Sequence, residues 1–129
     1  MKTKDLNKDT LYALFDLREQ FMQAICEKVP NAYPAWPVDF SQKENQQALR
    51  ETAFRSMEEL FEALLHLKNW KPHRTGTIDF DRSEFLEEMI DAFNYFLAML
   101  IVVDCDEEQL FEAYKKKDKI IRERLKNGY

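Results

Sequence analysis

The sequence predicts an all-α protein, and three observations carry that prediction. Its 129 residues include only two glycines and four prolines, too little punctuation for the turns of a many-stranded fold. Apolar residues recur at three- and four-residue spacing over long stretches. Three capping signatures, Ser41 with Glu44, Asp81 with Glu84 and Asp106 with Gln109, stand in front of such stretches. Together they describe a four- to five-helix bundle forming one domain over residues 1–129. A chain of this length buries about two-thirds of the surface its unfolded form exposes.

The first helix is expected over about 8–29, where Leu11, Leu14, Phe15, Phe21, Met22 and Ile25 share a helical face and Pro30 ends the run. Residues 30–43 hold Pro30, Pro34 and Pro37 with Tyr33 and Trp36, the composition of an ordered aromatic loop rather than a flexible linker. The second helix starts at the Ser41 box and runs to about 68 through Leu49, Ala53, Met57, Leu60, Phe61 and Leu64. The third runs from the Asp81 cap to about 103, and the fourth from Asp106 to about 125 with Leu110, Phe111, Tyr114, Ile121 and Leu125. After Met89 the third helix is apolar in almost every direction. That is more surface than one thin bundle covers, so completion by a second copy, a homodimer, is expected.

The totals exclude some function classes. A net charge of -5 with both signs interspersed lacks the basic face that nucleic-acid binding needs. The longest apolar run, 92–103, is interrupted by Asn94 and too short to span a bilayer, so no membrane partner is expected. Cys26 and Cys105 follow no metal-binding or redox spacing and read as adaptable thiols in a reducing compartment. The amino terminus shows no signal or transit pattern, and a cytoplasmic location is expected.

Chemistry enters with the stretch EEMIDAFNYFLAMLIVVD, residues 87–104, where Glu88 and Asp91 open an otherwise apolar helix. Residues three apart on a helix share a side, and a buried carboxylate is costly without a compensating charge. The second helix carries its own acids, Glu58, Glu59 and Glu62. Two acidic pairs on facing helices would make an oxygen cage suited to Mg²⁺ or Mn²⁺. On their own, Glu59 and Glu62 equally suit a solvated face opposite Met57, Leu60, Phe61 and Leu64, and Glu88 with Asp91 equally suit salt bridges to an Arg or Lys. His66 and His73 have no partner at metal-ligand spacing.

The spacing Glu58-Glu59-x-x-Glu62, then 25 residues, then Glu88-x-x-Asp91 resembles the EExxE and ExxD signature of the all-α nucleoside triphosphate pyrophosphohydrolases, the superfamily of MazG-like enzymes and dimeric dUTPases. The carboxy-terminal segment resembles that of dimeric dUTPases and of T-even-type phage dCTP/dUTP diphosphatases: Tyr114, Lys117, Arg124, Gly128 and Tyr129 fall on matching positions at unbroken spacing from Glu88 and Asp91. The resemblance covers 55–129 well and 1–54 loosely. Asn94 stands where the family has a histidine near the sugar, Asp118 and Ile121 replace two asparagines, and Leu125 replaces a glutamine.

The resemblance implies a Mg²⁺-dependent enzyme, with Mn²⁺ as an alternative ion, that converts dUTP or dCTP to monophosphate and pyrophosphate. It implies metal ligation by Glu59, Glu62, Glu88 and Asp91, with Glu58, Glu59 and Glu62 as the catalytic acids and Glu58 as an outer-shell acid or general base. It further implies phosphate contacts from Lys117 and Arg124, with Lys71 and Arg74 as further candidates, and base or sugar contacts from Gln20, Gln23, Trp70 and Asn94. Taken singly, the cations also suit a solvated helix, Trp70 ordinary packing and the glutamines plain exposure. Two alternatives stay open: a broader MazG-like specificity for several or modified nucleotides, and a non-catalytic helical module that binds a nucleotide or a protein.

Overall fold

The computed structural model describes residues 3–128, and they form four α-helices with no strand among them: α1 (Thr3–Lys28), α2 (Lys43–Leu64), α3 (Arg82–Val102) and α4 (Glu107–Lys126). The all-α bundle that the composition predicts is the fold observed.

Local chemistry sets the helix ends. Asp81 accepts a hydrogen bond from the Glu84 backbone N–H at 3.1 Å and so caps α3. Phe80, just before that cap, packs against Phe85 with the rings tilted by 58° and their centres 5.4 Å apart, a hydrophobic staple that fixes how the chain enters the helix. Asp106 and Gln109 form the complete reciprocal box at the start of α4. The expected Ser41 box is absent. Both the N–H and the hydroxyl of Ser41 donate instead to Asp39 Oδ1, at 2.9 and 2.7 Å, and hold the Asp39 carboxyl below the usual range. With Ser41 engaged in that turn, α2 begins at Lys43 behind Gln42, which offers no side-chain cap. It also stops sooner than expected, because the backbone tightens through Leu65, His66 and Leu67.

Between α3 and α4 the chain reverses at Asp104, whose φ of 64° lies in the left-handed region. Cys105 N–H donates to Leu100 O, and Asp104 N–H donates to Ile101 O, the paired bonds of a Schellman C-cap. The loop after α1 is ordered by specific bonds, as its composition predicts. Trp36 donates to Glu19 at 2.8 Å, Arg18 donates to the Tyr33 hydroxyl at 2.9 Å, and Val38 N–H donates to Val102 O at 3.0 Å.

The core lies between α1 and the second half of α3. Met22 and Leu97 are fully buried there, beside Phe15, Ala98, Ile101 and Val102, with Leu11, Tyr33, Trp36 and Leu110 around them. Helices α2 and α3 form an antiparallel hairpin, whose register is fixed by Ser56 Oγ donating to Ala92 O at 2.8 Å and by His66 lying 3.8 Å from Glu84.

One expectation is inverted in this hairpin. Beyond Leu49, which packs on the core, the face of α2 turned to α3 is small and polar, with Thr52, Ser56, Glu59 and buried Ala63, while Met57, Leu60, Phe61 and Leu64 are exposed. Small side chains let two backbones approach closely, and bulky ones at those positions would hold the helices apart. On α3 the same holds for Leu86, Ile90, Phe93 and Phe96, so burial of that helix is less complete than its composition suggests. Helix α4 contacts α1 but neither α2 nor α3, and none of its residues is buried.

Candidate functional site

The acids of α2 and α3 meet on the side of the hairpin that faces α1. Glu59 of α2 with Glu88 and Asp91 of α3 bring one carboxylate oxygen each to within 4.8 Å of one another. The antiparallel register does this: the pairing that sets Ser56 against Ala92 puts Glu59, one turn on, level with Glu88 and Asp91.

The electrostatics are those of crowded like charges. Partial burial raises the pKa of Glu59 first, then its hydrogen bond to Glu62, then repulsion from Glu62, Asp91 and Glu88. Partial burial and the Glu62 side chain likewise raise Glu88, with Asp91 adding to the rise and His66 opposing it. Glu62 thus borders the trio, whose oxygens alone meet within 4.8 Å among the described residues. Among the described residues, no lysine or arginine forms an ion pair with these acids. The salt-bridge alternative for Glu88 and Asp91 is therefore not realised among them. A donor set of crowded carboxylate oxygens fits a hard divalent cation, which would relieve the repulsion that helps to raise Glu59 and Glu88.

Beside the acids lies a cleft of about 420 Å³ whose wall includes Glu59, Asp91, Asn94, Arg55, Arg18 and Tyr33. Arg55, one turn before Glu59, is ion-paired with Glu51 at 2.8 Å. The Arg18 guanidinium lies 4.9 Å from the Phe21 ring centre and 5.6 Å from that of Tyr95, and its Nε is buried with no hydrogen-bond partner. Sequence reasoning missed Arg18 and Arg55. The signal for Arg18 was present: it falls on the same face as Leu11, Phe15, Met22 and Ile25, where a charged residue on an apolar stripe invites explanation.

Other expected site residues stand apart. Glu58 is exposed, about 100° around α2 from Glu59, and is not among the three acids that converge. Gln20 and Gln23 are exposed because the inward face of α1 is set by its apolar stripe, and the Gln20 amide donates to Asp16 at 2.7 Å. Trp70 is 68% exposed with Lys71 Nζ 5.6 Å from its ring. It lines a separate groove with His66, Asp79 and Phe80, because it lies beyond the end of α2 in the connection to α3. Arg74 is exposed in the same connection. Lys117 and Arg124 are exposed on α4, which does not reach the hairpin within one chain. Asp118 is paired with Arg122 at 2.7 Å, so its charge is answered locally. Of the expected base and sugar contacts, only Asn94 lines the cleft beside the acids.

Compared with protein-family models, curated proteins and solved structures, the chain matches none of them.

Proposed function

We propose that the chain is a divalent-cation-dependent nucleoside triphosphate pyrophosphohydrolase, acting on dUTP or dCTP to give the monophosphate and pyrophosphate, and working as a cytoplasmic homodimer. The observation that carries this reading is the convergence of Glu59, Glu88 and Asp91, from two helices, within 4.8 Å beside a cleft that holds both cations and an amide. No helix among the described residues is long and apolar enough to cross a membrane.

Glu59, Glu62, Glu88 and Asp91 would hold Mg²⁺, or Mn²⁺ in its place. When bound, the ion neutralises polyphosphate charge and lowers the pKa of a coordinated water. Hydrolysis joins the oxygen of a water to phosphorus and releases pyrophosphate from the broken anhydride. The water's proton goes to a carboxylate of the cluster, as a hydrolysis step requires. Arg18 and Arg55 on the cleft wall take the part first assigned to Lys117 and Arg124, that of meeting phosphate oxygens. Asn94 offers a donor and an acceptor to the sugar or base. Glu58 has no part in this scheme.

A second reading, broad specificity for several or modified nucleotides, is favoured by one observation. Gln20, Gln23 and Trp70, the residues expected to select a pyrimidine, all lie away from the cleft wall. Pyrophosphate release from dUTP, dCTP, dTTP and dATP with Mg²⁺ separates the readings. Turnover confined to pyrimidines and abolished by Glu59→Gln supports the first, and comparable rates on dATP support the second. No turnover of any nucleotide, with no effect of Mg²⁺ on melting, would reject both in favour of a helical binding module.

A further inference from the structure

Two arginines stand on the wall of the cleft, and their charges are treated differently. Arg55 is ion-paired with Glu51 on its own helix at 2.8 Å. Arg18 is half-buried among rings, its guanidinium 4.9 Å from the centre of Phe21 and 5.6 Å from that of Tyr95, and among the described residues no carboxylate forms an ion pair with it. Its Nε is buried with no hydrogen-bond partner, and its Nη2 donates at 2.9 Å to a neutral acceptor, the Tyr33 hydroxyl. A cation held partly out of water without a counter-charge is costly. An anion entering the cleft would offset that cost, and Arg18 has more to gain from it than Arg55.

Tyr33 reaches Arg18 from the loop between α1 and α2, and that loop is anchored. Its ring packs on the core cluster while also lining the cleft. A few residues on, Trp36 donates to Glu19 at 2.8 Å and Val38 N–H donates to Val102 O at 3.0 Å. The hydroxyl is therefore a fixed point for Arg18 to grip. A long side chain that must be ordered at the moment of binding takes that cost out of the affinity. The two rings keep the guanidinium close but do not set its direction, because the attraction of a cation to a ring face selects no particular N–H. A hydrogen bond to a fixed oxygen does.

We infer that Tyr33 is a positioning residue: its hydroxyl holds Arg18 in the orientation that receives the phosphate oxygens of the nucleotide, acting through Arg18 and not by touching the ligand. The inference rests on the hydrolase reading proposed above. Phosphate oxygens carry their charge before the reaction begins, so a correctly aimed Arg18 favours substrate and transition state alike. Loss of the aim then raises KM and leaves kcat nearly as it was. Ordering one side chain of this kind in advance corresponds to about 3–10-fold in affinity.

The test is a double-mutant cycle on the intact protein with Mg²⁺: Tyr33→Phe, which keeps the packed ring and removes only the hydroxyl, Arg18→Gln, and the two combined. Steady-state kinetics on dUTP and calorimetric binding of inorganic pyrophosphate are read on each. Tyr33→Phe is expected to raise both KM and the pyrophosphate Kd by about 3–10-fold with kcat within twofold, and to have no further effect once Arg18 is gone. A role in packing alone, or direct contact with the ligand, would give the same loss in both backgrounds and overturn the inference. Because Arg18→Gln can disturb the fold, NMR relaxation of the Arg18 Nε–H provides an independent measurement: restrained in the wild type and mobile in Tyr33→Phe. Equal restraint in both proteins, or a Tyr33→Phe variant with wild-type KM and pyrophosphate affinity, overturns the inference while wild-type turnover of dUTP leaves the hydrolase reading standing. A wild-type protein that neither turns over a nucleotide nor binds pyrophosphate overturns both.

Discussion

Removing one charge from the acidic cluster should have opposite effects with and without metal, and Glu59→Gln is the substitution to make. In the metal-free protein Glu59 faces Glu88 and Asp91 with ligand oxygens within 4.8 Å. At that separation two unit charges repel by about 0.9 kcal/mol in water and about 3.5 kcal/mol at an effective dielectric of 20. Asp91 is exposed and the cluster is open to solvent, so the lower figure governs. Neutralising Glu59 is then expected to stabilise the metal-free fold by about 1 kcal/mol, about 2–4 °C in Tm. With Mg²⁺ at a hundredfold excess over Kd, the wild-type protein gains about 2.7 kcal/mol by mass action, and a variant that has lost a ligand gains much less. The stability order should therefore cross over. Thermal melts followed by circular dichroism in EDTA and across a Mg²⁺ titration read both arms. A variant less stable than wild type in EDTA, or an equal Mg²⁺ response in both proteins, would refute the reasoning.

The raised Glu59 and Glu88 also give a pH signature: both bind their protons more tightly folded than unfolded, so their contribution is full below the ordinary glutamate range and is lost as pH rises through the raised values. The melting temperature in EDTA should fall as pH rises above about 4.5, less steeply in Glu59→Gln, and an unchanged slope would count against the crowding. Leu97→Ala, at a fully buried position between α1 and α3, is expected to cost about 3 kcal/mol in urea unfolding. Asp106→Ala removes the α4 cap and should cost about 1 kcal/mol. Asp104→Val puts a β-branched residue at a φ of 64° and should cost about 1–2 kcal/mol, whereas Asp104→Gly is expected to be tolerated.

The fold was legible because periodicity and caps act locally. Two of the three capping pairs read from the sequence set helix starts, and α4 shows both halves of its box. The third failed because Asp39, two residues upstream, competes for the Ser41 hydroxyl, and spacing rules do not weigh such rivals. The acids Glu59, Glu88 and Asp91 were legible as a group because i, i+3 spacing on two antiparallel helices leaves little freedom. Which face of α2 packs on α3 was not. Hydrophobicity favoured Met57, Leu60, Phe61 and Leu64, but the seam instead uses the small groups of Ser56 and Ala63, a matter of fit between two surfaces. Arg18 was missed for a related reason: its setting is built by Tyr33 and Tyr95, which come from other parts of the chain.

The narrow seam between α2 and α3 governs the spacing of the acids from a distance. Ala63, with no exposed surface, and Ala92 act as spacers there, and the gap they allow sets how closely the carboxylates of Glu59, Glu88 and Asp91 crowd. A wedge as small as a valine at Ala63 would push the two helices apart and spread those acids without touching any of them.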